Sequence, residues 1–154
     1  MADSKFLLIM TGTKQGKIKG SNTKREGDLD FSKGVECHGF SYSVIAPRDA
    51  QSGPLTGRRS HKPLTITREV DSASPKLLQA LCTNETFKSV TLQFSKTGSS
   101  GKPLPFRTIE LVNGVIVDIR QAQGNTGKRR ELVTLAYDDL LVNNIPHSAI
   151  PHFS

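Results

Sequence analysis

The segment FRTIELVNGVIVDIRQ, Phe106–Gln121, decides how the strands of this chain are arranged. An Asn-Gly pair between two apolar runs is the strongest short signal for a two-residue β-hairpin. That register, however, would set Glu110 opposite Val117, so the apolar residues of the two arms would lie on opposite faces of the hairpin. It would also place like charges opposite each other, which is unfavourable. As one continuous strand, the segment keeps its apolar residues on one face, interrupted only by Asn113; they are Ile109, Leu111, Val115, Val117 and Ile119. The pattern therefore favours one long strand with a bend or bulge at Gly114, where the strand changes sheet.

Further strands are predicted from the two-residue period of apolar side chains or, in the first case, from a short apolar run that ends at a glycine. These strands are Lys5–Gly12, Val35–Ala46, Leu64–Val70, Phe87–Ser95 and Glu131–Val142. Strands and helices do not alternate, so the sheet is expected to be mainly antiparallel. We predict a mainly β fold, a small antiparallel β-barrel or two-sheet sandwich, in one domain over residues 1–154 with an irregular tail from about residue 143.

One helix is predicted at SPKLLQALC, Ser74–Cys82, within about residues 74–83. Ser74 is positioned to cap this helix, and Pro75 occupies the first helical position. Its apolar stripe consists of Leu77, Leu78, Leu81 and Cys82. Because so short a helix is not stable alone, this stripe is expected to dock on the sheet.

Composition limits the classes of function. The chain has 154 residues, 35% hydrophobic content and a net charge of +7, which suits one domain with one core. Its apolar runs are too short to cross a bilayer or to form a secretory signal, so we expect no membrane insertion and synthesis in the cytoplasm. Cys37 and Cys82 are interpreted as small buried hydrophobic residues rather than as a disulfide.

Sequence patterns that are typical of catalysis or of metal binding are missing. The histidines do not have the spacing of zinc ligands; they are His38, His61, His147 and His152. The chain contains no nucleophile elbow, phosphate loop or dinucleotide motif. Asp138 and Asp139 are adjacent on one predicted strand, so they cannot both face one site. We therefore expect no enzymatic activity, no metal and no cofactor.

Two basic clusters could contact the phosphates of a nucleic acid: Arg58-Arg59 with Lys62, and Lys128–Arg130. A solvated loop, a charged sheet edge that discourages aggregation, or a contact with another protein would explain them equally well. Few aromatic residues remain for base stacking, because most occupy inward positions of the predicted strands. Nucleic acid is therefore not expected as a partner, and a nucleic-acid-binding β-barrel is the alternative function.

A long loop, PRDAQSGPLTGRRSHKP or Pro47–Pro63, lies between two predicted strands and has no apolar periodicity. Loops of this length without structure of their own are uncommon in small domains and usually have a function. Because the chain offers neither a catalytic set nor a base-stacking surface, we interpret this loop as an extended arm that contacts another copy of the chain. The contact residues are expected to be Arg48, Asp49, Gln51, Leu55, Arg58, Arg59 and Lys62.

Small uncharged polar side chains occupy the outward faces of several predicted strands, where Lys and Glu are more usual. They are Ser41, Ser43, Thr65, Thr67, Ser89, Thr91 and Gln93. Such a face suits a surface that is crowded by neighbouring proteins, or the wall of a channel. The alternative is that Thr is simply favourable in strands.

The segment REVDSASPKLLQAL, Arg68–Leu81, resembles the tube protein of the bacterial type VI secretion system, the haemolysin-coregulated protein (Hcp) family. Other segments agree with the family in order, from about Lys5 to Asp139; they are IKGS, GFSYSV, VTLQFSKTG, IELVNGVIVDI and ELVTLAYDD. The tail IPHSAIPHFS has no counterpart that we can place.

The resemblance implies a small β-barrel of two sheets with one helix on its side. It also implies six-membered rings that stack into a hollow tube, which a contractile sheath surrounds and a spike tips, and whose lumen can hold small effector proteins. The protein would be assembled in the bacterial cytoplasm and secreted through this system without a signal peptide. Pro47–Pro63 lies where the family has a loop that reaches a neighbouring subunit or ring. The tube protein of a phage tail or a related injection device would share these features.

Overall fold

The computed structural model describes residues 5–45, 60–95, 108–124, 127–143 and 145–147. The first strands are β1 (Phe6–Gly12), β2 (Gly16–Ile18), β3 (Arg25–Glu26), β4 (Leu29–Asp30), β5 (Val35–Cys37), β6 (Gly39–Ser41), β7 (Val44–Ile45), β8 (Ser60–His61) and β9 (Leu64–Glu69). A 3-10 turn at Phe31–Lys33 precedes β5, and the helix α1 (Ser74–Cys82) follows β9. The later strands are β10 (Thr86–Gln93), β11 (Thr108–Val112), β12 (Gly114–Gln123), β13 (Arg129–Ala136), β14 (Asp139–Val142) and β15 (Ile145–His147).

The strand pairings close into a circuit. β10 pairs with β1 along one edge and with β11 and β12 along the other, and the order continues through β13 and β9 to β6. Only His38 separates β6 from β5, and β5 pairs back with β1. The His38 N–H donates to the Thr67 carbonyl at 2.9 Å, so the bent strand stays bonded across the bend. All of these pairs are antiparallel, which confirms the prediction of a mainly β, antiparallel, barrel-like fold with one short helix.

The segment around Asn113 is a continuous strand and not a hairpin. β11 and β12 do not pair with each other; both run antiparallel to β10, with Leu111 opposite Val90 and Gly114 opposite Phe87. The outer partner changes at the same point, from β14 to β13, but both halves belong to one sheet, so the predicted change of sheet is replaced by a change of partner. The prediction of a single strand with a break at this position is confirmed.

The face that β12 turns to the core differs from the prediction. Asn113 adopts a positive φ of 56°, and the alternation of buried and exposed side chains inverts there although the register with β10 is the same on both sides of it. Ile116 is buried, whereas Val117, which was expected on the apolar face, is 47% exposed. An irregularity in the pairing, between Ile116 and Asp118, returns Ile119 to the core.

The main core fills the inside of the strand circuit and continues under α1. Its members are Phe6, Leu8, Met10, Ile18, Val35, Cys37, Leu64, Ile66, Ala73, Leu77, Ala80, Phe87, Val90, Leu92, Phe94, Ile109, Leu111, Ile116, Val133, Leu135 and Leu140. A smaller cluster of Leu7, Leu29 and Phe31 covers the opposite face of β1. The residues that follow β2 therefore shield one outer part of the barrel.

Helix α1 forms over the predicted residues, but two details differ. Ala73 is the N-cap, because the Ser74 hydroxyl is turned to Glu131 instead, at 3.0 Å. Leu77 is buried, whereas Leu78 is 48% exposed and Cys82 is also exposed. Residues four apart share a helix face, so Leu78 and Cys82 lie together on the solvent side. Both cysteines are free thiols, and the expectation of burial is correct for Cys37 and wrong for Cys82.

The end of the chain adds one short element. β15 pairs with β14, with Ile145 opposite Val142, within the region that was expected to be an irregular tail. No helix in the described ranges is long and apolar enough to cross a membrane.

Replacing Asn113 tests whether its backbone conformation holds the long strand in register. The left-handed region disfavours β-branched residues, and Asn113 Nδ2 also donates to Asp138 Oδ2 at 2.8 Å. Asn113→Val is expected to lower the free energy of unfolding by roughly 2 kcal/mol, measured by urea denaturation. Asn113→Gly is the control, because it loses only the hydrogen bond and should cost about half as much. Equal losses for the two variants would contradict the conformational explanation.

Candidate functional site

The loop that was singled out from sequence is rooted in a short hairpin. β7 pairs with β8, so that Ile45 lies opposite Ser60 where residues 46–59 leave and return. The Lys62 N–H donates to the Ser43 carbonyl at 2.9 Å, and the Tyr137 hydroxyl donates to the Lys62 carbonyl at 2.8 Å. The two ends of the loop are thus held side by side and tied to the residue that follows β13.

Most of the predicted contact residues lie outside the described residues: Arg48, Asp49, Gln51, Leu55, Arg58 and Arg59. Lys62 is described, and its backbone makes both of the hydrogen bonds at the root of the loop, while its side chain is exposed. The prediction that this set contacts another protomer therefore stays a prediction.

Apolar side chains lead from the core to the root of the loop. Phe40 packs edge-on against Phe6, with ring centroids 5.7 Å apart, and stacks on Tyr42 at 6.2 Å. Beyond Tyr42, Val44 and Ile45 are 42% and 46% exposed. A strip of apolar side chains at the surface commonly marks a contact with another protein. The sequence assigned Phe40, Tyr42 and Val44 to one strand face, but it did not show that the outer part of this face is exposed.

The small polar residues that were predicted to line a channel lie on two opposite walls of the barrel. Ser41 and Thr65 are cross-strand neighbours on β6 and β9, and Thr67 follows on the same face. Ser43 lies just beyond β6. The second group, Ser89, Thr91 and Gln93, belongs to β10, which is three steps from β9 in either direction around the strand circuit. One flat wall can therefore hold only one of the two groups.

The two walls differ in what covers them. Thr91 on β10 lies opposite Ile9 of β1, which packs against the cluster of Leu29 and Phe31. The wall around β9 has no such cover in the described part of the chain, and Leu132 on the neighbouring β13 is 39% exposed. The hydroxyls of Thr65 and Thr134 are 3.2 Å apart on this wall. The neighbour of β10 is thus shielded and that of β9 is not, while the small polar residues of both strands are partly exposed.

A buried ionic cluster holds the opposite end of β9 to its neighbours. Arg68 is 1% exposed and pairs with the fully buried Glu131 on β13, and it also pairs with Asp71 ahead of α1. Glu131 accepts further hydrogen bonds from the Ser74 hydroxyl at 3.0 Å and from Gln121 Nε2 at 3.0 Å. A charge without water needs such partners, because desolvation is costly. This cluster joins β9, β12, β13 and the start of α1.

Two groups in or beside this cluster have shifted pKa values. Burial raises the pKa of the Cys37 thiol to about 12, although the nearby Arg68 guanidinium acts against this, so the thiol stays protonated and unreactive. Burial also acts to raise the pKa of Asp71, but hydrogen bonds from the Ser21 N–H, Arg68 and the Ala73 N–H outweigh it, and the pKa lies below its ordinary 3.8. Asp71 therefore stabilises the fold above about pH 4, and this contribution is lost as the pH falls through the lowered pKa.

The described residues include no group of three or more His, Cys, Asp or Glu side chains that could hold a metal ion. What they do bring together at the surface is the root of the loop, a wall of small polar side chains and several basic side chains.

Substituting Arg68 tests whether the cluster stabilises the fold. Arg68→Met is expected to lower the free energy of unfolding by roughly 3–5 kcal/mol, because it leaves Glu131 buried without a cation. Adding Glu131→Gln should recover more than half of the loss, measured by chemical denaturation. Arg120→Met is the control, since Arg120 pairs with Asp118 at the surface and should contribute less than about 1 kcal/mol. An Arg68→Met variant as stable as this control would contradict the assignment.

The similarity to known proteins extends over nearly the whole chain. A sequence model for the family described as "Type VI secretion system effector, Hcp" matches residues 8–143. The "Major exported protein" of Pseudomonas aeruginosa is 41% identical over 133 residues, covering 81% of this chain and 75% of that protein. The crystal structure of an Hcp protein has a TM-score of 0.75 at 23% identity and covers 92% of both chains, which shows a shared fold.

Two further structures agree. Hcp1 of the E. coli EAEC 042 pathovar has a TM-score of 0.74 at 26% identity, covering 97% of this chain and 99% of that one. The secreted protein Hcp3 of Pseudomonas aeruginosa has a TM-score of 0.68 at 29% identity, covering 99% of both. The chain therefore belongs to the Hcp family of the type VI secretion system.

Proposed function

We propose that this protein is a non-enzymatic tube subunit of a type VI secretion system. Copies of it would form a six-membered ring, and rings would stack into a hollow tube that a contractile sheath expels behind a spike. The observation that carries the proposal is the hairpin of β7 and β8, which holds the two ends of a long basic segment together in a chain of the Hcp family. In a ring with head-to-tail contacts each subunit presents two different surfaces to its neighbours, and such a segment could supply one of them.

In this proposal the loop acts as the bridge between subunits. Arg48, Arg58 and Arg59 pair with acidic side chains of the next protomer or ring, and Leu55 packs against it. The exposed Tyr42, Val44 and Ile45 at the root of the loop are the apolar side chains that the same contact would cover. Burial of this strip would add hydrophobic stabilisation to the ionic contacts of the arm.

The lumen is assigned to the β9 wall. Thr65 and Thr67 are small, uncharged and partly exposed, and the described chain places no cover over them, whereas the β10 wall adjoins a part of β1 that is already shielded. Small uncharged side chains at Thr65, Thr67 and Thr134 suit the passage or storage of small effector proteins, and the charged Glu69, Lys128 and Arg130 lie toward one end of this wall. Assembly would occur in the bacterial cytoplasm, and secretion would proceed through the machine itself without a signal peptide. The similarity to a relative named as exported supports secretion.

Deleting Asp49–Gly57 tests the role of the loop. Because Ile45 and Ser60 already pair at its root, the barrel should keep its circular dichroism spectrum and its melting temperature within a few degrees. Ring and tube formation, observed by negative-stain electron microscopy and by sedimentation, should be strongly reduced. Deletion of Ser99 and Ser100 from another long connection is the matched control and should leave assembly intact. A loop variant that unfolds would show that the loop belongs to the core.

Labelling of single cysteines tests which wall faces the lumen. In a Cys82→Ser background the remaining native thiol is the buried Cys37, so Thr67→Cys and Thr91→Cys each add one reactive group. In assembled tubes, Thr67→Cys should react with a small maleimide but be protected from one attached to a large polyethylene glycol. For Thr91→Cys, the ratio of the labelling rate with the small maleimide to the rate with the large one should be the same before and after assembly. The reverse pattern would assign the lumen to the β10 wall.

A further inference from the structure

We propose that the cleft where β9, β13 and the bend at His38 meet is a binding site for a single oxyanion, a carboxylate or phosphate group. The cleft has a volume of about 360 Å³ and is lined by His38, Thr67, Glu69, Lys128 and Arg130, with Arg68 beneath. This volume accommodates one such group with its first waters. The site is independent of whether the protein forms rings.

Arg130 is the main reason for the assignment. In the sheet register it lies directly opposite Glu69, yet Glu69 is engaged by Lys128 instead, with the ammonium nitrogen 3.8 Å from the carboxylate. The Arg130 side chain makes no hydrogen bond or ion pair with any residue in the described part of the chain. A guanidinium presents several donors in one plane and binds carboxylate or phosphate with two parallel hydrogen bonds. Arg130 therefore offers a guanidinium with unused hydrogen-bond donors at the mouth of the cleft.

Two other groups complete the donor set. The Thr67 hydroxyl lines the same cleft and has no hydrogen-bond partner among the described residues. His38 adds no donor to the set, because its Nε2 lies 3.1 Å from Glu36 Oε2 and is engaged there. Lys128 completes the set, since its long contact with Glu69 leaves donors for a second acceptor.

The floor of the cleft does not attract an anion by itself. Arg68 is already paired with both Asp71 and Glu131, so its charge is more than offset. The attraction must come from Arg130 and Lys128 at the rim. An oxyanion would therefore gain from direct hydrogen bonds to these two side chains, and loss of Arg130 alone should abolish most of the affinity.

Titration of inorganic phosphate into the full-length protein tests the site, with binding followed by isothermal calorimetry and by amide shifts in ¹⁵N-labelled protein. We expect one saturable site whose shifts centre on Thr67 and Arg130, and affinity at least tenfold weaker in Arg130→Gln. Thr67→Val keeps the side-chain shape without the hydroxyl and should weaken binding less. Lys88→Gln is the control, because Lys88 is an exposed cation on the opposite wall and should bind as the unaltered protein does. Absence of saturable binding, or equal affinity in Arg130→Gln and Lys88→Gln, would overturn the proposal.

A second measurement identifies the source of the oxyanion. If phosphate at saturating concentration and the Arg130→Gln substitution each reduce self-association in sedimentation, the natural ligand is a carboxylate on another copy of the chain. If Arg130→Gln loses phosphate binding but associates normally, the site takes a free oxyanion. Both results support the site itself, because each requires that phosphate binding depends on Arg130.

Discussion

The burial of Arg68 between Glu131 and Asp71 is the constraint on which the rest of the structure depends. A guanidinium inside a barrel is costly unless carboxylates surround it, so β9, β13 and the start of α1 can separate only by leaving charges unpaired. Asp71 extends the cluster by accepting from the Ser21 N–H at 2.9 Å. The segments that resemble the Hcp family, IKGS, REVDSASPKLLQAL and ELVTLAYDD, supply these groups.

Two single residues allow a few long segments to close a barrel. His38 separates β5 from β6, so one segment pairs with β1 on one side of the bend and with β9 on the other. Asn113 separates β11 from β12 in the same way, so that β11 pairs with β14 and β12 pairs with β13. Closing a sheet requires its strands to bend, and an irregular residue concentrates the bend at one point. Asn tolerates the left-handed backbone that this bend requires at Asn113.

The features that were predicted from sequence depend on neighbouring residues in the chain: the strand period, the single helix and the rejection of a hairpin at Asn113. The orientation of Val117 could not be predicted, because the alternation inverts at the left-handed backbone of Asn113, which the apolar pattern does not show. The sequence could not show that the small polar residues lie on two different walls. That separation depends on the order of the strands, which results from contacts between distant segments such as β1 and β5. Arg68 and Glu131 could have been recognised, since opposite charges occupy inward positions of two predicted strands.

The opposite placement of β9 and β10 limits how a ring could be built. If the β9 wall faces the axis, β10 faces outward, and the two remaining sides of the barrel must meet the neighbouring subunits. One of these sides consists of β5, β6 and β1, and it continues into the loop hairpin with its exposed Tyr42, Val44 and Ile45. The other side consists of β12 and β13, where Val117 is exposed. A heterologous contact requires two unlike surfaces on each copy, so the proposed ring would have to bring the exposed side chains at the root of the loop on one copy against the side with Val117 on the next.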